Sequence, residues 1–241
     1  MEDRIVGDLV RISRSLSEKG FVSLGEGNTS AMCSEGGCFW IKRSGCSMGE
    51  AGPADFVKVD LEKTLANLDD PSGAVIYRER EGFRASIETP LHASIYARRR
   101  DVRFIVHAHP PNVLAGCCST DIRGFFAPQF PDFVVYLGDP ARHWVFLDYA
   151  PPGGPIARSL LAGLKRHQGE IRVVILKNHG AITTGKTAEE ALGRMEILEK
   201  AAYVRLMSKT FGGETLSPSQ VERLERMEAE RYRQRVLRGE V

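Results

Sequence analysis

V-R-F-I-V-H-A-H-P-P, residues Val102 to Pro111, joins an apolar strand pattern to two histidines and two prolines. Its first part, 102–106, predicts a β-strand that leads into His107. Because residues two apart on a strand point to the same face, His107 and His109 can project together and share one metal ion. The prolines end the strand, so we expect the imidazoles at a sheet edge, where a cleft can expose them.

A second stretch has the same form. Residues 172–176 predict a buried strand that leads into Asn178, His179 and Gly180. Three imidazoles with an open coordination position are typical of a catalytic rather than a structural zinc site. An isolated H-x-H pair is as compatible with an ordinary polar strand end as with a metal site, but two such strand ends favour the metal site.

Before the first histidine pair in the chain, Thr89 and Pro90 predict a helix that runs to about Arg99, with Thr89 as its N-cap. Glu88 lies near the positive end of this helix dipole, where a carboxylate is stabilised and can face a metal. Glu88 is therefore a candidate fourth ligand or proton acceptor, and its pKa should rise toward neutrality if the cleft buries it. On position alone, a charge complement to the helix end explains Glu88 better.

The other patterns predict a chain of helices and strands. Ile5, Leu9, Ile12 and Leu16 predict an amphipathic first helix that stops at Gly20. Residues 38–41 and 56–59 predict strands joined by tight loops. Further helices are expected over 156–164, after a capping box of Thr187 with Glu190, and after Ser217. We predict one domain over residues 1–241, with 213–241 as a charged helical tail.

Charge and composition narrow the classes of partner. The chain has 241 residues and a formal net charge of +2 from many charges of both signs, with no long basic block, so nucleic acid is not an expected partner. The N-terminus lacks the features of a signal peptide and no apolar run approaches a membrane span, which predicts a cytoplasmic protein. The five cysteines form no C-x-x-C pair and are expected to be free thiols.

Five motifs occur in a fixed order. They are G-N-T-S at 27–30, S-G at 44–45, S-I-E-T-P-L-H at 86–92, H-A-H-P at 107–110 and N-H-G at 178–180. Together they resemble the class II aldolase/adducin family, over about residues 5–207. That family includes L-fuculose-phosphate aldolase, L-ribulose-phosphate 4-epimerase and related dehydratases and decarboxylases. The resemblance implies a three-layer αβα fold with a central, mainly antiparallel sheet, and a homotetramer with active sites at subunit boundaries.

The resemblance also implies residue roles. His107, His109 and His179 would be ligands of Zn²⁺, with Mn²⁺ or Co²⁺ as alternatives, and Glu88 would be the acid–base residue. The pocket for the phosphate of a sugar-phosphate-like substrate would be lined by Asn28, Ser44, Gly45 and Ser86.

Two departures from the family pattern concern substrate binding and proton transfer. Ile87 stands where the aldolases usually carry a second serine, so phosphate would be bound more weakly or replaced by a carboxylate. Phenylalanines and a proline fill the region where the aldolases have a tyrosine that helps protonation. The proton donor is therefore unassigned, and the candidates are Tyr136, Tyr203 and Tyr232.

The leading hypothesis is a metal-dependent aldolase that splits a small sugar phosphate or keto acid through a metal-stabilised enediolate. Epimerisation, dehydration and decarboxylation share that step, and the motifs do not separate them. An adducin-like structural module without a metal site is an alternative from another class, although the retained histidines and Glu88 argue against it. A metallohydrolase that activates water is a third possibility.

Overall fold

One mixed β-sheet organises the chain in this computed structural model, which describes residues 2–167, 169–237 and 240. The strands in these residues are β1 (Asn28–Met32), β2 (Cys38–Lys42), β3 (Phe56–Asp60), β4 (Val75–Tyr77), β5 (Phe104–Ala108), β6 (Trp144–Leu147), β7 (Val173–Leu176) and β8 (Gly180–Gly185). Their order across the sheet is β4-β3-β2-β1-β5-β8-β7-β6. Neighbouring strands are antiparallel except β6 and β7, so the predicted mainly antiparallel sheet is confirmed.

Helices cover both faces of this sheet. The helices are α1 (Glu2–Glu18), α2 (Leu61–Ala66), α3 (Thr89–Arg98), α4 (Pro111–Cys117), α5 (Ile122–Phe125), α6 (Pro140–His143), α7 (Gly154–Arg166), α8 (Ala188–Lys209), α9 (Pro218–Arg226) and α10 (Glu228–Leu237). One buried apolar cluster joins α1, α4 and α8 to one face, and a second joins α3 and α7 to the other. The three-layer αβα prediction is therefore confirmed.

The two-residue period of β5 decides which layer receives the first histidine. Val106 and Ala108 pack in the cluster under α1, α4 and α8, whereas Ile105 packs in the cluster under α3 and α7. Alternation along the strand therefore turns His107 toward the α3 layer. Glu88 immediately precedes α3, so the fold brings the carboxylate and the imidazole to one side of the sheet.

Two details of the first strand prediction are wrong. The strand is Phe104–Ala108 rather than 102–106, because the Val102 N–H donates to the Arg99 carbonyl in a turn after α3. The expected sheet edge is also wrong, since β5 lies in the middle of the sheet between β1 and β8. His107 is consequently buried, and the openings of the site lie beside His109 and His179.

The C-terminal part of the chain carries two helices rather than one. Ser217 and Gln220 form a capping box at the start of α9, as the sequence indicated, and the helical path breaks at Met227 before α10. Val221 of α9 is buried against the main core.

At the start of α8, Thr187 caps the Glu190 N–H, but the Glu190 carboxylate accepts from the Lys186 N–H, so the predicted reciprocal box is wrong. None of the described helices is long and apolar enough to cross a bilayer.

Candidate metal centre and active site

The three predicted histidines meet where three strands end. β5 carries His107 and ends one residue before His109, and it pairs with β8, whose Ala181 lies opposite Ala108. His179 lies in the tight turn between β7 and β8, after Asn178, which adopts a positive φ of 53°. Asparagine tolerates this backbone conformation better than most residues. The strand pairing therefore brings both predicted strand ends to one point.

The rings of these histidines face a common centre. Their centroids are 4.9 Å apart for His107 and His109, 5.0 Å for His107 and His179, and 5.2 Å for His109 and His179. One ring nitrogen from each lies within 4.8 Å of the other two. Glu88 completes the group, because its Oε2 is 3.1 Å from Nε2 of His107 and its Oε1 is 3.1 Å from Nε2 of His179.

The hydrogen bonds of the rings show that this group suits a cation. His107 Nδ1 is 3.0 Å from the Ala181 carbonyl, which can only accept, so Nδ1 carries the hydrogen. His109 Nδ1 faces the Glu26 carboxylate at 3.2 Å in the same way. Nε2 of His109 and Nε2 of His107 point toward each other at 3.1 Å. With their hydrogens on Nδ1, both rings can turn an Nε2 lone pair to a cation, and imidazole nitrogens with a carboxylate oxygen are a donor set that zinc accepts.

Burial and the nearby carboxylate act in opposite directions on the pKa values of the histidines. Burial lowers the pKa of His109 to about 4, with a further contribution from neighbouring His107, so His109 is a neutral imidazole at pH 7. Burial also opposes a charge on His107, but the Glu88 carboxylate reverses the balance and raises the pKa of that ring. Metal ions and protons compete for the same nitrogens, so metal occupancy of such a site depends on pH.

Glu88 is an ionised carboxylate in a buried position. Its exposed fraction is 6%, yet the imidazoles of His107 and His179 overcome the effect of burial and lower the pKa of Glu88 well below its ordinary value. The expected rise of this pKa toward neutrality is therefore wrong. The expectation took only burial into account, and the sequence did not show that two imidazoles face both carboxylate oxygens.

The start of α3 explains how the carboxylate reaches the rings. Glu88, rather than Thr89, is the N-cap residue, and its side chain accepts no hydrogen bond from the helix. Thr89 instead donates its hydroxyl to the Ser86 carbonyl at 2.6 Å, which corrects the predicted cap by one residue. The Glu88 side chain is therefore free to turn away from the helix and toward the histidines.

Two of the predicted substrate-binding residues contact Glu88. Asn28 lies opposite His107 in the β1–β5 pair, and its amide donates to Glu88 Oε2 at 2.8 Å and to Ser86 Oγ at 3.1 Å. Ser86 Oγ also accepts from the Glu88 backbone N–H at 3.3 Å. This oxygen thus accepts two hydrogen bonds, which leaves its own proton for a further acceptor.

Ser44 and Gly45 form a loop beside this group. The Ser44 N–H donates to the Arg84 carbonyl at 2.8 Å, and a Cβ on Gly25 would lie 3.9 Å from Gly45 Cα. A pocket of about 270 Å³ opens next to the loop and is lined by Ser44, Ser72, Arg84 and Ile87 among others. Ser44 therefore lines one pocket with Ile87, which lies between Ser86 and Glu88 in the chain.

A buried lysine, which was not predicted from the sequence, lies under these loops. Lys42 ends β2 with an exposed fraction of 1%, and its ammonium donates to the Gly25 carbonyl at 3.1 Å and to the Cys46 carbonyl at 2.6 Å. Burial lowers the pKa of Lys42. A lysine at the end of the C-F-W-I pattern was the available signal, but its inward direction depends on the loops that close over it.

The fold does not bring the candidate tyrosines to the histidines. Tyr136 lies under the Arg233 guanidinium and lines a small cavity with Arg194. Arg194 donates to the Thr184 carbonyl, which is at the end of β8 far from His179. Tyr203 and Tyr232 are each 52% exposed. The described structure shows no contact between these three phenols and the imidazoles, and the proton donor stays unassigned.

Comparison with known proteins identifies the family of this site. The model of the family described as Class II Aldolase and Adducin N-terminal domain matches residues 7–206. The chain belongs to this family. The resemblance expected from the five ordered motifs is confirmed, and the histidine site lies within the matched region.

Several relatives of this class II aldolase/adducin family protein carry names of carbon–carbon lyases, and another, from Mus musculus, is an alpha-adducin. A 3-oxo-tetronate 4-phosphate decarboxylase from Cupriavidus necator is 25% identical over 216 residues, which cover 88% of each chain. An L-fuculose phosphate aldolase from Methanocaldococcus jannaschii is 27% identical over 201 residues, covering 83% of this chain and 94% of that one. Among solved structures, YgbL from Klebsiella pneumoniae has the same fold, with a TM-score of 0.77 and 24% identity over 93% of this chain and 99% of that one.

Proposed function

We propose that the protein is a metal-dependent carbon–carbon lyase that acts on a small sugar phosphate or keto acid. The observation that carries this proposal is the convergence of His107, His109 and His179 on one point, with both oxygens of Glu88 beside two of the rings. Membership in a family of aldolases and decarboxylases agrees with it. We further propose a cytoplasmic location.

The three imidazoles would hold the metal, with Glu88 as a ligand when substrate is absent. Zn²⁺ is our first choice because neutral imidazoles suit it, and Mn²⁺ or Co²⁺ could occupy the same donors. When bound, the ion would neutralise negative charge that develops on substrate oxygens during bond cleavage.

Glu88 would move the proton. In aldol cleavage a substrate hydroxyl loses its proton, the C–C bond breaks to an aldehyde, and the carbon left with the electron pair takes up a proton. Glu88 is ionised, buried and next to the ligand rings, so it can accept or return a proton at a substrate atom within its reach. Asn28 would keep it in place by donating to Oε2, which leaves Oε1 for the reaction.

The neighbouring loops would bind the anionic end of the substrate. Ser86 has a hydroxyl proton to donate after accepting two hydrogen bonds, and Ser44 with Gly45 supplies a small polar loop next to it. Lys42 ties the Gly25 and Cys46 backbones together beneath these loops. Ile87, which is 62% exposed at the pocket, offers a methyl surface where a second serine would offer a hydroxyl, so a carboxylate can replace phosphate here.

Decarboxylation is the second candidate, and one observation favours it. Relatives from several bacteria carry the name 3-oxo-tetronate 4-phosphate decarboxylase.

One substrate panel separates these reactions. Protein loaded with Zn²⁺, Mn²⁺ or Co²⁺ is incubated with ketose phosphates and with 3-keto acids, each with and without a phosphate group, and the products are followed by NMR. We expect metal-dependent formation of an aldehyde or of carbon dioxide from at least one phosphorylated compound. Chelation of the metal should abolish product formation.

Other results of the substrate panel would assign the protein to another functional class. Epimer or dehydrated product without C–C cleavage would replace the lyase by an epimerase or a dehydratase. Metal-dependent hydrolysis of an ester or phosphate would favour a metallohydrolase. Failure of the purified protein to bind any of the three metals would favour an adducin-like structural module and would remove the proposal.

We also propose a homotetramer whose active sites lie at subunit boundaries. Tyr203, Met207 and Phe211 follow one another at four-residue spacing along and just beyond α8, with exposed fractions of 52%, 48% and 85%. Apolar side chains at this spacing form one stripe that a second copy can cover. Light scattering coupled to size exclusion should give a molar mass of about four chains, whereas a monomer mass at micromolar concentration would contradict this proposal.

A further inference from the structure

We infer that Glu26 is a positioning residue for the metal centre, which orients His109 and balances the charge of the cation. The inference rests on the proposed metal site and adds to it a residue outside the predicted ligand set. Glu26 Oε2 is 3.2 Å from His109 Nδ1, on the side of the ring opposite the converging Nε2 atoms. A carboxylate in this position fixes the ring tautomer and raises the basicity of the nitrogen that faces the metal.

The histidine rings have different partners at Nδ1. His107 is held by a backbone carbonyl within the sheet, which no side-chain change removes. The Nδ1 partner of His109 is the Glu26 side chain, and His109 itself lies one residue beyond the end of β5, where the ladder no longer holds it. Orientation of His109 therefore depends more on a side chain than orientation of His107 does.

The loop that carries Glu26 is locked in place. The Ser23 N–H donates to Glu26 Oε1 at 2.6 Å, so both oxygens of the carboxylate have a partner. Leu24 adopts a positive φ of 50°, a strained conformation for a large side chain, while its side chain is exposed. A Cβ on Gly27 would lie 2.9 Å from the His107 carbonyl, so this glycine allows the loop to approach β5 closely. The strained backbone at Leu24 and the close approach of Gly27 to β5 are both explained if the loop must place a carboxylate beside His109.

The two carboxylates near the histidines match the charge of the proposed metal ion. With neutral imidazoles, Glu88 contributes one negative charge and Glu26 a second, which together equal the charge of a divalent cation. Glu88 lies in the buried half of the site, whereas the Glu26 side chain is 38% exposed at its open side. An uncompensated charge in a partly buried site is costly, so a second carboxylate should increase the affinity for the ion.

The test compares Zn²⁺ affinity in Glu26→Ala, Glu26→Gln and the wild-type protein. Affinity is measured by competition with a chromophoric chelator, and the control is Glu35→Gln, an exposed glutamate in the β1–β2 hairpin. We expect the dissociation constant to rise about 10- to 100-fold in Glu26→Ala, as for loss of an outer partner of a metal ligand. The dissociation constant of Glu26→Gln should lie between those of the wild-type protein and Glu26→Ala. The one side-chain oxygen of glutamine can accept from His109, but its amide then faces the Ser23 N–H.

A second measurement separates positioning from general stability. Thermal unfolding of the metal-free proteins should give nearly equal midpoints, because Glu26 is a partly exposed loop residue, whereas the stabilisation that Zn²⁺ adds should be smaller in both variants. Wild-type Zn²⁺ affinity in Glu26→Ala would overturn this inference and leave the metal site intact. A wild-type protein that binds no metal would instead overturn the proposed function.

Discussion

Replacing Glu88 by glutamine is expected to lower turnover by about 10²- to 10⁴-fold, the usual contribution of a positioned acid–base group. The variant should keep its metal, because the three imidazoles of His107, His109 and His179 are unchanged. Glutamine has the same shape and can still accept from the Asn28 amide through its oxygen. The change therefore removes the proton acceptor while it retains the packing at the start of α3.

This prediction is measured with whichever panel compound the wild-type protein converts. Metal content is determined on the same samples by elemental analysis, and Glu35→Gln is the control for loss of a negative charge at the surface. Turnover within a factor of two or three of wild type, at full metal occupancy, would remove Glu88 from the mechanism. Loss of the metal in Glu88→Gln would instead make the carboxylate chiefly a ligand.

Replacing His179 by alanine should weaken metal binding by more than about 100-fold, the upper range for loss of an outer partner of a ligand. His179 is the contribution of the β7–β8 turn, whereas the other two imidazoles come from the end of β5. Two ligands from one strand end chelate weakly without the third. The variant should also leave Glu88 Oε1 without its imidazole neighbour.

The measurement is Zn²⁺ affinity by chelator competition, together with activity in excess metal. His167→Ala is the matched control, because this histidine follows α7 and its Nε2 has no partner in the described structure. We expect His167→Ala to bind Zn²⁺ like the wild-type protein. Unchanged affinity in His179→Ala would contradict the three-histidine site, since the ion would then be held elsewhere.

Local patterns in the sequence predicted about half of the described strands and helices, and β1, β4, β6 and β8 were not among them. The helix with apolar residues at 5, 9, 12 and 16 is α1, with all but Ile5 buried, because a helix buries one stripe at a period of 3.6 residues. The strands around Phe39 and Val57 are β2 and β3, whose side chains alternate between the two apolar clusters. The boundaries of β5 and the N-cap of α3 were missed by one or two residues, because single hydrogen bonds to Arg99 and Ser86 decide them.

For the candidate site, the residue types could be predicted but not their surroundings. The order of motifs indicated the histidines, Glu88 and the four substrate-binding residues, and the structure brings the histidines, Glu88, Asn28 and Ser86 together. Their roles remain proposals. Lys42 and Glu26 were missed because each acts across a loop, and neither the contact of Lys42 with Gly25 nor that of Glu26 with His109 leaves a periodic signal in the chain. The pKa of Glu88 was expected to move in the wrong direction for the same reason.

By itself, the sequence determined several of the helices and strands, which face of these is apolar, and that two strand ends carry histidines. These properties depend on neighbours a few residues apart. Only the tertiary structure decided that β5 lies centrally between β1 and β8, that Asn28 therefore stands opposite His107, and that two imidazoles keep a buried carboxylate ionised. Those outcomes depend on strand order and on charges brought within a few ångströms from distant parts of the chain, which no local pattern encodes.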